Sequence, residues 1–395
     1  MQVRRAVRRS LASLHPQDLA GTHAPTARLA LVGLSGGADS LALAAALAAE
    51  AGAAGWRAGA LVVDHALQER SAATAERAAE QARALGLDPV VVRRVAVRSG
   101  SGPEAAAREA RYAAFEEVAA ELGAAAILTA HTRDDQAEQV LLALARGSGT
   151  RSIAGIPPAR PLSDTCVLLR PLLAAEPGVT RATTVAACAE LGLDPWSDPH
   201  NADPAYSRVR VRERVLPALA RELGPGVTAG LARSADLARE DAEALDAWAE
   251  SAVAELAGLA ELAARGTDRG AADPGAPAEP ADTTAPAETP APTETPAPTA
   301  TPVSAPYVLG EAGIALLAAL PAAVRQRAIH RIARDEFGAN LSREHTLAIA
   351  VLVTHWRGQG PAFVAGIRAT RSRGEIRLER QLGSPRTSAP PRTES

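Results

Sequence analysis

Apolar and polar positions change period repeatedly along the first part of the chain. Short, nearly continuous apolar runs, "RLALVGL", "GALVVDH", "PVVVRRVAV" and "AAILTAH", are each followed by a longer stretch with helical spacing, at residues 39–51, 71–85, 104–122 and 134–145. Apolar runs bounded by turn residues predict buried strands, and the longer stretches predict helices. Strands and helices in strict alternation predict βαβ units, hence a parallel sheet with helices on both faces. The predicted fold class is therefore α/β, with a doubly wound, mainly parallel sheet.

Beyond residue 151 this rhythm loosens. A short helix is predicted at 179–191, and a mostly helical region runs over 212–265. Residues 266–306 are rich in Pro, Ala, Thr and Glu, a composition that cannot bury a core and predicts an extended linker. The expected organisation is an N-terminal helical extension over 1–27, the sheet domain over 28–211 and a helical region over 212–265. The linker over 266–306, the remainder of a helical C-terminal domain over 307–383 and a polar tail over 384–395 follow.

Composition narrows the chemistry. With 395 residues, 47% of them hydrophobic, the chain can bury more than one core. All 42 basic residues are arginine, since no lysine occurs. The two cysteines, Cys166 and Cys188, have neither a CxxC partner nor the density of a disulfide framework, which suits a reducing compartment. No apolar run is long enough for a membrane span, and the N-terminus lacks the apolar core of a signal peptide, so a soluble cytoplasmic protein is predicted. The net charge of −3 is uneven, because residues 266–306 hold six acids against one arginine. The rest of the chain is mildly positive, which is compatible with an RNA partner.

Candidate chemistry gathers at the ends of the predicted strands, where ligands of such sheets bind. Gly36 and Gly37 in "LSGGADS" allow a turn with positive φ into a helix starting at Ala38 or Asp39, whose free amides suit phosphate. A Walker loop is excluded because it needs lysine, and GxGxxG does not match. Ser-Gly-Gly-x-Asp-Ser is instead the signature of pyrophosphate loops in enzymes that adenylate a carbonyl or amide oxygen. Asp64-His65 and His131 through Glu138 end neighbouring strands. Asp134 or Asp135 with Glu138 projects from one side of a helix start, as Mg²⁺ on nucleotide phosphates would require. Taken singly these are a tight turn, first-turn acids and strand-end histidines, but three such clusters at one sheet edge favour a site.

In order along the chain, "VGLSGGADSLAL", "VVDHALQ", "AREARYAAF", "LTAHTRDDQAEQVLLALARGSG", "LLRPLL" and "DPWSDPHNADPAYSRVRVRERVLPAL" closely resemble the tRNA(Ile)-lysidine synthetase family. The resemblance is dense over residues 28–219 and weak beyond. It implies the adenine nucleotide alpha hydrolase-like, Rossmann-like version of the predicted fold. It also implies ATP and Mg²⁺, with L-lysine and the CAU-anticodon isoleucine tRNA as substrates: the wobble cytidine is adenylated at C2 and then attacked by the lysine amine. Carried onto this chain, ATP would lie over Ser35, Gly36, Gly37, Ala38, Asp39 and Ser40, with Asp64, His65 and His131 beside it. Asp39, Asp134 and Asp135 would face the metal, Asp135 and Glu138 the lysine amine or the metal, and Arg111 the adenylate. Arg208, Arg210 and Arg212 would approach tRNA or adenylate phosphates, against the plainer reading of a solvated helix start. "HRIARDEF" and "HWRGQG" in the C-terminal region would grip the tRNA body. A homodimer is among the arrangements the resemblance allows. Gln68, Gln139 and Val209 depart from the residues the family usually carries there, although Asn201 and Tyr206 match it.

Two rival classes remain distinguishable. A tRNA 2-thiolation enzyme of the same loop class would need paired cysteines near the site, and an ammonia-using synthetase would need a glutaminase portion. A non-catalytic nucleotide- or RNA-binding module would have no need of Asp39, Asp135 and Glu138 together.

Overall fold

The computed structural model of the chain describes residues 1–14, 28–66, 71–96, 103–198, 203–269 and 306–381. It divides into two compact units, Met1–Ala242 and Glu243–Ser395, a later division than the boundary after residue 211 expected from the sequence. Residues 270–305 of the expected linker, the tail over 384–395, Gln68 and Asn201 lie outside the described residues, whereas residues 266–269 end a helix.

The first unit is built on six strands: β1 (Arg28–Leu34), β2 (Trp56–Asp64), β3 (Val90–Arg94), β4 (Ala124–Leu128), β5 (Ala159–Pro161) and β6 (Val167–Leu169), in the order β3-β2-β1-β4-β6-β5. All neighbouring pairs are parallel except β5 with β6. The first three crossovers carry α2 (Ala38–Glu50), α3 (Ser71–Ala84) and α4 (Pro103–Leu122), and α5 (Arg133–Ala145) and the single turn α6 (Thr150–Ile153) follow β4. On one face of the sheet, Ala30, Val32 and Leu34 of β1 pack with α2, with Ala75, Ala78, Ala79 and Ala82 of α3, and with Cys188 of α7 (Arg181–Glu190). On the other face, Leu29, Leu31, Leu61 and Ile127 pack against Phe115, Val118 and Ala119 of α4. The strands are apolar on both sides because both faces are covered. Connections leave β1 and β4, neighbours in the sheet, towards opposite edges, which makes the cleft between their ends the switch point of the fold.

The predicted extension contains α1 (Gln2–Ala12), and it belongs to the core rather than outside it. Val3, Ala6, Val7 and Leu11 recur at helical spacing and are buried against α2. From the flank of that stripe Arg4 and Arg8 reach the buried Glu50 with Nε–Oε distances of 2.5 and 2.6 Å. Helix α2 is buried around most of its circumference, so its run of Ala and Leu reflects a helix enclosed by protein. After β6 come α7, then α8 (Ser207–Arg210), a π-turn over Val211–Val215 and α9 (Leu216–Leu223), which run on from one another, and then α10 (Val227–Arg269).

The second unit has the helices expected of a mostly helical region and adds a small sheet. Helices α11 (Glu311–Ala319), α12 (Ala322–Phe337) and α13 (Arg343–Thr354) share a core with a four-stranded antiparallel sheet. Its strands are β7 (Tyr307–Leu309), β8 (Ala362–Val364), β9 (Ile367–Ser372) and β10 (Glu375–Arg380), ordered β7-β10-β9-β8. These strands are short and carry many arginines, which masked them. The alternation is present nonetheless: Ile367 and Ala369 on β9, and Ile376 and Leu378 on β10, all point inward. Arg331 pairs with Glu250 and Asp335, and Arg334 with Asp335, so the basic residues of "HRIARDEF" are engaged inside this unit. No described helix is long and apolar enough to cross a membrane.

A close approach in the sheet domain gives a direct test of this packing. A Cβ on Gly59 would lie 2.6 Å from the carbonyl oxygen of Pro89 and 2.7 Å from Leu31, and a backbone atom cannot yield as a side chain can. Gly59→Ala is expected to destabilise the fold by about 1–3 kcal/mol in urea unfolding, as overpacked positions do. Gly52→Ala, where a Cβ would meet nothing within 4 Å, should leave the midpoint within about 0.5 kcal/mol of the parent and serves as the control.

Candidate active site

The loop after β1 turns on a single glycine conformation. Gly36 has φ +83°, which L residues rarely adopt, whereas Gly37 is extended (φ −76°, ψ 163°) and caps α2. Of the two glycines expected to supply positive φ, only Gly36 does so. Ser40 stitches the loop: its Oγ accepts from the Ser35 amide at 3.2 Å, lies 3.1 Å from Ser35 Oγ and donates to the Gly37 carbonyl at 2.9 Å. The first-turn amides of α2, at Ala38, Asp39 and Ser40, are thereby presented at a helix N-terminus. The Trp196 amide donates to the Gly36 carbonyl at 2.9 Å, so a segment far along the chain closes over the loop.

Loop and strand ends face one cavity of about 430 Å³. Ser35, Gly37, Asp39, Ser40, Asp64, His65, Arg111 and His131 all line it, as do Tyr112, Trp196 and Asp198, to which the sequence alone assigns no role. Asp64 serves the backbone first: its Oδ1 accepts from the Ala66 amide at 2.9 Å, holding Ala66 at φ +53°. Burial, and then the charge of Arg111, push the His65 imidazole below its ordinary range, and its buried Nδ1 has no hydrogen-bond partner among the described residues. Burial lowers His131 to about 3, with Arg170, Arg111 and Arg208 adding to that effect and Asp135 opposing it. His131 Nδ1 lies 3.2 Å from Thr129 Oγ1.

Behind the loop the acids are held by arginines. Asp135 Oδ2 accepts from the amide and hydroxyl of Thr132 at 2.7 and 3.0 Å, closing the first turn of α5. Its Oδ1 lies 3.0 Å from Arg181 Nη2. Glu138, fully buried, meets Arg212 (Nε–Oε1 2.8 Å and Nη2–Oε2 3.2 Å), Arg181 (Nη2–Oε1 3.4 Å) and Arg208 (Nε–Oε2 3.6 Å). Arg181 Nε also lies 3.7 Å from Asp39 Oδ2, while Thr184 donates to Asp39 Oδ1. Asp134 Oδ2 accepts from the Arg181 amide at 2.7 Å. Burial pushes Asp39 up, and Thr184 and Arg181 only partly offset it, so its carboxyl titrates above the usual range. Burial also pushes Asp135 up, but Arg181, His131, the Thr132 amide and Arg208 together outweigh it and hold its carboxyl below that range. Asp134, Glu138, Arg181 and Arg212 line a second cavity of about 220 Å³, closed on another side by Leu216, Pro217 and Ala220.

The three acids expected to face a metal all meet Arg181. Asp39, Asp134 and Asp135 surround a guanidinium and a backbone amide of Arg181, and no group of three or more His, Cys, Asp or Glu able to hold a metal exists among the described residues. Arg208 and Arg212 point at Glu138, in the buried network rather than on an open surface. Arg210 does not join them: it donates to the carbonyls of Pro204 and Ala205 and to Ser207 Oγ, bracing its own turn. Arg181 and Thr184 went unrecognised because an Arg and a Thr in an ordinary amphipathic helix carry no local signal. The π-turn that directs Arg212 inward was equally invisible in the sequence.

A glycine-turned loop feeding a helix N-terminus at the switch point of a parallel sheet is the construction of a PP-loop nucleotide domain, and the PP-loop domain family matches residues 5–219. A tRNA(Ile)-lysidine synthase of Leifsonia xyli is 48% identical over 94% of this chain and 97% of its own length. Its counterparts in Salinispora tropica (48% identical, 95% and 94% covered) and Thermobifida fusca (45%, 93% and 94%) align as fully. The chain belongs to the tRNA(Ile)-lysidine synthase family. Among solved structures, a U34-tRNA thiolase of Methanococcus maripaludis aligns with 60% of this chain and 78% of its own at a TM-score of 0.47 and 17% identity.

The burial of His131 has a measurable consequence. A lowered value means the neutral ring is favoured in the folded state, with protonation displaced to lower pH. The His131 ring resonances are expected to keep neutral-imidazole shifts from about pH 8 down to about pH 4. A transition near the ordinary histidine value of about 6.5 would overturn this account.

Proposed function

We propose that this chain is an ATP-dependent ligase that joins L-lysine to C2 of the wobble cytidine in the CAU anticodon of tRNA(Ile). In the first step the cytidine O2 attacks the α-phosphorus of ATP and the bond to diphosphate breaks, leaving the oxygen as an adenylate ester. In the second the lysine amine attacks C2, a C–N bond forms, AMP departs with the former O2, and one proton leaves the amine. Activation is needed because a carbonyl oxygen is a poor leaving group. The protein's part is to position the reactants and stabilise developing charge, with no protein nucleophile.

One observation carries the assignment of roles. The guanidinium of Arg181 touches Asp39 of the phosphate loop and also Asp135 and Glu138, so the nucleotide end and the amine end of the reaction share one charge network. In this reading the loop amides and Ser35 to Ser40 hold the ATP phosphates, and Arg111, on the cavity wall, stabilises the transferring phosphoryl group. Asp135 and Glu138 bind the lysine cation and accept its proton, as a carboxylate beside an attacking amine can. Arg208 helps hold Asp135 below the usual carboxylate range, Arg212 pairs with Glu138, and both would meet an incoming phosphate. Magnesium enters as the counter-ion of ATP, carried by its phosphates, with Asp39 beside them. The cytoplasm, where tRNA and free lysine occur, is the compartment this reading requires, and a homodimer is the assembly to test by light scattering.

Sulfur chemistry is disfavoured. Burial pushes the Cys166 thiol up to about 12, and Cys188 is also raised, by burial and then by Asp39, so neither supplies a thiolate.

Incubated with ATP, Mg²⁺, labelled lysine and the CAU-anticodon tRNA, the protein is expected to label the RNA. Labelling by sulfide or ammonia in place of lysine would sink the assignment. Asp39→Ala should lower the rate by about 100-fold or more, the size seen when one preorganised electrostatic group is removed, with an unchanged circular dichroism spectrum. Near-normal turnover of that variant would remove Asp39 from the phosphate site. Arg181 opposes the burial that raises Asp39, so Arg181→Gln should let that carboxyl rise further. The acid side of the pH–rate profile is then expected to move to higher pH, and a shift to lower pH would contradict the network.

A further inference from the structure

Outside the reaction network, guanidiniums gather around one phenol with no acid among them. Arg108 Cζ lies 5.1 Å and Arg160 Cζ 4.7 Å from the ring centroid of Tyr112. Arg170 Nη2 donates to the Tyr112 hydroxyl at 3.3 Å. The three arginines come from α4, from the edge strand β5 and from the residue after β6. Their other contacts are to carbonyl oxygens, Arg160 Nη1 to Pro161 at 3.0 Å and Arg170 Nη1 to Pro157 at 2.7 Å, and none forms an ion pair among the described residues.

Arg170 is the telling member. It is 2% exposed, and its buried Nε has no hydrogen-bond partner among the described residues. A guanidinium withdrawn from water and flanked by two more is under-compensated unless an anion joins it. Burial pushes Arg170 below its ordinary value, Arg160 and Arg108 add to that, and Tyr112 alone opposes them. The phenol responds in the opposite sense: burial raises it, but Arg170, Arg108 and Arg111 outweigh that and leave it below its usual range.

Position narrows the identity of the anion. Tyr112 and Arg111 line the nucleotide cavity, whereas Arg108, Arg160 and Arg170 do not, so the cluster leads outward from the cavity wall. Arg108 is exposed and Arg160 half-buried, which leaves the outer side open. The phosphates of ATP already have the amides of the loop. An anion at Tyr112 that also belongs to a ligand inside the cavity is best supplied by a polynucleotide, whose base enters while its backbone stays outside. Guanidiniums match phosphate oxygens in a bidentate way that fits this task.

We propose that Arg108, Arg160 and Arg170, arranged around Tyr112, form a phosphodiester-binding site for the RNA strand whose base enters the adjoining cavity. This rests on the reading of RNA as the substrate, and it assigns backbone contacts to residues that take no part in the chemistry.

The test uses the full chain and the CAU-anticodon tRNA over a series of salt concentrations. Arg108→Gln combined with Arg160→Gln should weaken tRNA binding about tenfold and reduce the slope of log affinity against log salt by about 1.4, near 0.7 for each single-strand phosphate no longer neutralised. Arg108→Lys with Arg160→Lys keeps both charges and should preserve the slope. ATP affinity without RNA should stay within about twofold in both variants, separating backbone phosphate from nucleotide phosphate. An unchanged slope in the glutamine variant, or a fall in ATP affinity with RNA binding intact, would overturn the proposal. If the parent transfers lysine to tRNA while the glutamine variant keeps its slope, this inference alone fails. If the parent neither binds nor labels the tRNA, the inference falls with the functional reading.

Discussion

A fully buried carboxylate, Glu138, is the constraint around which the sheet domain is arranged. An ionised acid withdrawn from water is strongly destabilising unless charges and hydrogen bonds replace its hydration. Here Arg181 from α7, Arg208 from α8 and Arg212 from the π-turn converge on it. Breaking such a buried pair costs about 3–5 kcal/mol, so the three elements are held where those contacts require. Arg181 and Arg212 also reach Asp135, and Arg181 continues to Asp39. A structural requirement, partnering the buried Glu138, thereby positions the charged groups of the site.

The absence of lysine shapes the phosphate end of the molecule. A Walker loop grips phosphate with a flexible ammonium, and without one this chain offers the amides at the start of α2. The loop is held from several sides. Ser40 ties it internally, Trp196 takes its Gly36 carbonyl and Thr184 holds Asp39. Each of these contacts removes freedom from a group that must be aimed before the nucleotide arrives, and preorganisation of that kind is where most electrostatic stabilisation originates. The arginines divide into two populations in consequence. Some are paired with the buried acids of α5, and others, around Tyr112, form no ion pair among the described residues.

Much of the architecture was legible along the chain. The runs over β1, β2, β3 and β4 and the helices between them appear within a few residues of where periodicity placed them, because strands covered on both faces must be apolar throughout and enclosed helices rich in Ala and Leu. The antiparallel sheet of the second unit was harder to read. In β9 and β10 arginine side chains alternate with the few inward residues, and short strands with long charged side chains resemble loop. Helix α1 has a clear apolar stripe, but only packing shows that it completes the core of the first unit rather than preceding it.

By itself the sequence determined the class of site, since Ser35 to Ser40, Asp64, His65 and His131 had to meet wherever parallel strands end together. It also determined that the loop would work without a lysine. Only the tertiary structure decided how the acids are used. Asp134 meets the backbone amide and Asp135 the guanidinium of Arg181, which lies 47 and 46 residues away, and no local pattern encodes that meeting. Likewise, three arginines of one short segment read alike, yet the π-turn sends Arg212 inward beside Arg208 and leaves Arg210 bracing its own turn. The physical reason is the same in each case. Backbone periodicity follows from neighbours in the chain, whereas the partner of a buried charge is set by whatever the fold brings within a few ångströms of it.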